Sequence, residues 1–124
     1  SPKMNFLSSK ILSKNEKGTE VDLLGSGKIN ISKKSKDSLE GDPVTIGIRP
    51  EHLLINQDSN ATWESKVFIV EKLGSGTFLY LEKEDEPLVV HTDGDTNIKV
   101  GDTVKIGFDA SRCHLFDKEN KAFI

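Results

Sequence analysis

The residues here that could carry chemistry are a lysine behind paired glycines, three histidines, one cysteine and a charged corner built on a proline. Leu24-Gly25-Ser26-Gly27-Lys28 has the outline of a phosphate loop. Such a loop needs another glycine five positions before its Gly-Lys pair and a hydroxyl residue after it; Asp22 and Ile29 hold those places. No helical pattern follows, so no row of free helix N–H groups awaits a phosphate. Gly74-Ser75-Gly76 departs from the dinucleotide fingerprint because Leu79 stands where the third glycine belongs. Both segments therefore read as β-turns.

His52, His91 and His114 form no pair at metal-ligand spacing, and no metal site is expected. Cys113 and His114 are neighbours, but adjacent strand residues face opposite sides, which argues against a thiolate–imidazole pair and for a buried, inert cysteine. The run Glu82-Lys83-Glu84-Asp85-Glu86 reads as a hairpin tip. It lacks the central glycine and alternating oxygen ligands of a calcium loop. His91-Thr92-Asp93-Gly94-Asp95 is the better place for a cation, with a turn as the stronger reading. Trp63 and the phenylalanines fit core packing better than a stacking face for bases or sugars. The remaining feature is Gly47-Ile48-Arg49-Pro50-Glu51-His52-Leu53. Pro50 fixes its own φ and biases Arg49 toward an extended conformation, so a strand stops at a set place with two opposite charges beside it. Arg49 and Glu51 are expected to orient this corner through a salt bridge or carbonyl contacts.

The elements that must position these residues are β throughout. Alternation at Val44, Ile46 and Ile48, at Val67 and Ile69, and at Val104, Ile106 and Phe108 marks strands. Strands are expected over residues 5–12, 20–24, 28–32, 43–49, 63–73, 77–83, 87–92, 103–108 and 113–117, with one short helical turn at 50–54. Residues 32–40 and 56–62 read as solvated loops. Many short strands at regular spacing predict an all-β barrel or sandwich in one domain spanning 1–124. An internal echo suggests two related β units. Gly41-Asp42-Pro43-Val44-Thr45-Ile46-Gly47-Ile48 recurs as Gly101-Asp102-Thr103-Val104-Lys105-Ile106-Gly107-Phe108; Leu24-Gly25-Ser26-Gly27 recurs as Leu73-Gly74-Ser75-Gly76; and His52-Leu53 echoes His114-Leu115.

The chain has 124 residues, 30% of them charged, with a net charge of −3. That suits one folded domain and argues against a nucleic-acid partner, which needs clustered positive charge. The only arginines, Arg49 and Arg112, are expected to have specific partners. One cysteine permits no internal disulfide, so a reducing compartment is expected. The opening Ser1-Pro2-Lys3, with Met4 as the first methionine, reads as a piece of something longer.

Several segments taken together resemble a known family. These are residues 1–7 (Ser-Pro-Lys-Met-Asn-Phe-Leu), the Gly47–Leu53 corner, Val70-Glu71-Lys72-Leu73-Gly74, Gly101-Asp102-Thr103-Val104 and Leu115-Phe116-Asp117. In this order the chain resembles the C-terminal TOBE, or OB-like, domain of ATPase subunits from sugar ABC importers of the maltose and glycerol-3-phosphate type. The resemblance implies an OB-like barrel of short antiparallel strands that regulates and pairs the ATPase subunits. It also implies that ATP and Mg bind a separate nucleotide-binding domain, and that no catalytic or cofactor residue falls on this chain. The implied partners are a second copy of the subunit, membrane permease subunits and, in some relatives, a regulatory protein. The implied location is the cytoplasmic face of the cell membrane. Interaction residues are expected at Gly47, Arg49, Pro50, Glu51, His52, Gly74, Phe116 and Asp117. The competing reading is an OB-like module that binds a small oxyanion or sugar, with Ser-Gly turns, threonines and lysines supplying donors around one pocket.

Overall fold

The computed structural model describes residues 3–25 and 27–124, so Ser1, Pro2 and Ser26, which belong to segments singled out above, lie outside the described residues. Ten strands form: β1 (Asn5–Asn15), β2 (Gly18–Leu23), β3 (Gly27–Ile31), β4 (Pro43–Ile48), β5 (Leu53–Ile55), β6 (Ala61–Leu73), β7 (Gly76–Leu81), β8 (Leu88–Thr92), β9 (Thr103–Phe108) and β10 (His114–Phe116). Nine correspond to the expected set. The tenth, β5, lies where the residue pattern predicts the end of a helical turn. Pro50 starts a 3-10 turn that ends at His52, because Leu53 is already extended and donates its N–H to Pro50 O. A second such turn, Ala110–Arg112, has no proline to announce it.

Two antiparallel five-stranded sheets result, in the orders β10-β4-β1-β2-β3 and β5-β9-β6-β7-β8. They are two copies of one unit. In each, the first strand (β1 or β6) pairs over its opening half with the fourth (β4 or β9). Over its closing half it pairs with the second (β2 or β7). A register shift lies near each switch, between Ile11 and Ser13 and between Val67 and Ile69. Such shifts bend a strand and let a sheet roll toward closure. The units then exchange their last strands: β5 pairs with β9 of the second unit, and β10 with β4 of the first. The Pro50–His52 turn packs against β8 and the Ala110–Arg112 turn against β3. The exchange makes the halves one cooperative body, since neither sheet is complete without a strand from the other.

One continuous apolar core joins them, with Leu7, Ile11, Leu23, Ile46, Ile48, Leu81, Ile106, Phe108 and Leu115 at 1% exposure or less. Each side chain so buried stabilises by about 1.5–3 kcal/mol. The Gly-Asp echo occupies equivalent places. Asp42 and Asp102 each accept, at 2.9 Å, the N–H of the residue three before, Leu39 and Lys99. Gly41 and Gly101 each donate at 2.8 Å to the first strand of their unit, at Ile11 O and Val67 O.

Two other echoes do not superpose. The turn at Leu24 and Gly25 joins β2 to β3, whereas Leu73-Gly74-Ser75-Gly76 joins β6 to β7; the counterpart of the latter is Asn15-Glu16-Lys17-Gly18. His114 lies opposite Gly47 as Leu54 lies opposite Gly107, so His114 corresponds to Leu54 and not to His52. No helix is long and apolar enough to cross a membrane among the described residues.

Candidate functional site

The outer face of β1, β4 and β10 departs most from an ordinary solvated surface. Strand alternation puts Phe6, Ser8, Thr45, Gly47, His114 and Phe116 on this side, because Phe6 and His114 both register with Gly47, and Ser8 and Phe116 with Thr45. Gly47 is nevertheless buried, breaking the alternation of β4. Rings cover it: a Cβ at this position would lie 2.6 Å from Met4 Sδ, 3.0 Å from Phe116 and 3.5 Å from Phe6. Phe6 and Phe116 meet edge to face with centroids 6.0 Å apart, and His114 stacks on Phe116 at 6.5 Å. Phe6 still shows 49% of its surface. Phe6, Thr45, Phe116 and Asn120 line a shallow groove of about 470 Å³.

The second unit supplies an internal control. Gly107 holds the equivalent position in β9, and there the cover is polar: a Cβ would lie 2.7 Å from Ser59 Oγ and 3.3 Å from Gln57 O. The same backbone in the same protein thus carries an exposed aromatic–thioether cluster on one side and a hydrophilic loop on the other. Folding requires only that the glycine be covered. The aromatic cover is specific to this face.

The proline corner borders the cluster. Arg49 is extended (φ −76°, ψ 148°), as its place before proline dictates, and its carbonyl accepts the His52 N–H at 3.0 Å. Pro50 is buried, while Arg49 and Glu51 are exposed. The expected salt bridge is absent: among the described residues neither Arg49 nor Glu51 enters an ion pair. The corner is oriented by proline geometry and backbone hydrogen bonds. Arg49 and His52, with Lys33, instead lie close enough to act on His114, whose pKa is lowered first by burial and then by these three basic groups. Lys33, Arg49 and His52 therefore flank the aromatic cluster, together with the exposed Glu51.

Of the anticipated interaction residues, Gly47, Arg49, His52 and Phe116 gather here. Asp117 follows directly and organises the next turn, its Oδ1 accepting the N–H groups of Glu119 at 2.8 Å and Lys121 at 2.9 Å. Gly74 does not join them; it lies in the β6–β7 turn of the other sheet, with nothing within 4 Å of where a Cβ would sit. Met4, Phe6 and His114 escaped the sequence reading as members of this face. Only the register of β1 and β10 against β4 brings them over Gly47.

The other candidates resolve into structure. His91 stacks on Phe78 with centroids 4.6 Å apart. Cys113 is 1% exposed and its neighbour His114 points outward, as alternation requires. Burial pushes the Cys113 thiol up to about 12, with Asp109 adding to the effect. Native Cys113 is therefore expected to resist thiol reagents at neutral pH, and to react at the rate of a free thiol once denaturant is added; fast native labelling measured with a chromogenic disulfide would contradict this. No group of three or more metal-binding side chains occurs among the described residues.

Residues 46–116 match the TOBE domain family, and residues 1–53 match the MalK OB fold domain. The chain is 38% identical to the maltose/maltodextrin import ATP-binding protein MalK of Vibrio cholerae serotype O1, over 98% of this chain and 33% of that protein. It is 31% identical to the alpha-glucoside transport ATP-binding protein AglK of Rhizobium meliloti, over 99% of this chain and 34% of that protein. The chain thus spans about a third of the length of these curated relatives. A solved structure of the cytoplasmic molybdate-binding protein ModG, with molybdate bound, superposes with a TM-score of 0.75 at 17% identity, covering 93% of this chain and 96% of that one. That likeness shows the fold: the all-β, OB-like arrangement in two related units.

Proposed function

Because the chain belongs to the TOBE domain family, we propose that it is the C-terminal regulatory and dimerisation domain of the ATP-hydrolysing subunit of a carbohydrate ABC importer. The end-to-end alignment with ATP-binding proteins of maltose and alpha-glucoside import carries this reading. ATP and Mg belong to the nucleotide-binding domain of that larger protein. This domain performs no chemistry of its own. The partners are a second copy of the subunit, the membrane permeases reached through the rest of the parent, and a regulatory protein. The working location is the cytoplasmic face of the membrane.

Physical reasoning supports a role in contact and not in catalysis. A body whose sheets share exchanged strands moves as a unit and can resist or transmit a rigid-body rotation. A partner biases such a rotation only by preferring one arrangement of the ATPase pair, so the contact surface must lie outside the shared core. The aromatic face beside the charged proline corner is such a surface.

Arg49 tests the role. It is exposed and enters no ion pair among the described residues, so Arg49→Glu is expected to shift the unfolding free energy of this domain by no more than about 0.5 kcal/mol. In the full-length subunit the same change is expected to weaken pairing or alter ATP hydrolysis rate. Unchanged sedimentation and unchanged turnover in the parent would remove the corner from the contact surface.

A further inference from the structure

A second feature adjoins the aromatic face at Ser8. A cleft of about 650 Å³ opens between the two sheets, with Asp22 and Gly25 on the first side and Trp63, Lys83, Glu84 and Asp85 on the second. Its volume is in the range of small-ligand sites.

The wall chemistry is specific. Lys83 keeps only 4% of its side chain exposed, and its ammonium donates to Asp85. Among the described residues it donates to no other group, although an ammonium has three N–H donors. Holding a charge out of water with one partner is costly. Asp22 Oδ2 accepts the Gly25 N–H at 3.0 Å, and Asp22, Glu84 and Asp85 all line the cleft. Donors and acceptors thus converge beside a half-buried indole.

We propose that this cleft binds a neutral polyhydroxylated ligand, a sugar ring, with one C–H face against Trp63 and hydroxyls between Lys83 and the carboxylates. Each hydroxyl both donates and accepts, so this mixed lining satisfies it completely. An oxyanion fits poorly, because three carboxylates face one ammonium that is already paired. A free cation fits poorly because Lys83 occupies the wall. The charge balance therefore separates the two ligands of the small-molecule reading. The inference stands independently of whether the parent is an importer.

Trp63 is the only tryptophan, so its emission reports on the cleft directly. Titration of the chain with maltose is expected to give a saturable change in emission, while molybdate and free arginine in parallel titrations give none. Asp22→Asn and Glu84→Gln, which preserve size, are each expected to weaken the response about tenfold, the loss of one hydrogen bond. Circular dichroism of each variant confirms that the sheets persist. A folded chain without a saturable response to maltose overturns the assignment. So does saturation by molybdate or arginine, or an unaltered response in both variants. None of these outcomes touches the Arg49 experiment, so the two readings fail separately.

Discussion

Replacing Asn5 with alanine is expected to lower the unfolding free energy by about 1–3 kcal/mol, from two part-buried backbone groups losing their partner. Asn5 is 6% exposed at the start of β1. Its carboxamide donates from Nδ2 to Val89 O and accepts the Val89 N–H at Oδ1, both at 2.8 Å. β8 is the last strand of its sheet, so Val89 has no strand beside it on that edge. The side chain of Asn5 acts there as a single residue of an absent strand, and it ties the opening of the first unit to the last edge of the second. Alanine leaves both half-buried Val89 groups without that partner. Urea denaturation measures the loss, and hydrogen exchange at the Val89 amide locates it. Aspartate sharpens the test: it can still accept from Val89 N–H but faces Val89 O with a carboxylate, so Asn5→Asp is expected to be no more stable than alanine at neutral pH. An alanine variant within about 0.5 kcal/mol of the parent chain would show that the edge is satisfied by water instead.

Gly18→Ala is expected to be at least as damaging, by about 2–4 kcal/mol, combining backbone strain with a clash that cannot relax cheaply. Gly18 opens β2 with φ +140°, and a Cβ there would sit 2.0 Å from Ile31 O. That oxygen belongs to the backbone of β3, so relief means moving a strand. The equivalent glycine of the second unit, Gly76, has φ +139°, but the nearest obstacle is His91 Nε2 at 2.6 Å, with Thr92 O at 2.8 Å. The histidine can swing aside, and the backbone clash with Thr92 O at 2.8 Å is milder than the 2.0 Å approach to Ile31 O, so Gly76→Ala is expected to cost less than Gly18→Ala. Thermal unfolding of the two variants side by side checks the order. The reverse order would mean that the Phe78–His91 stack holds its place more firmly than β3 does.

The repeat shows why some of the fold was legible and some was not. The Gly-Asp word was a true guide because it encodes a stereochemical device: an aspartate that caps the turn behind it, and a glycine with φ +88° or +98° that few other residues adopt. The Leu-Gly-Ser-Gly word misled because it records only that a turn is near, and any turn in either unit can use it. β5 was missed for a related reason. Three residues after a proline corner are too few to show alternation, and what makes them a strand is β9 of the other unit lying alongside.

The candidate face divides in the same way. That Arg49 is extended and that a turn begins at Pro50 is local chemistry, readable from two adjacent residues. Whether Arg49 and Glu51 hold the corner through a salt bridge or carbonyl contacts depends on side-chain company that neighbouring residues do not specify, and the fold leaves both side chains exposed.

Strand content, the Gly-Asp turns, the proline corner, the buried cysteine and the family are legible along the chain, because each rests on neighbouring residues or on short segments in fixed order. Folding in three dimensions adds that the units exchange their closing strands, that Asn5 clasps Val89, that side chains from both ends of the chain roof Gly47, and that Trp63 and Lys83 line one cleft with Asp22. These depend on register between segments distant along the chain, and a shift of one residue would turn every side chain to the opposite face.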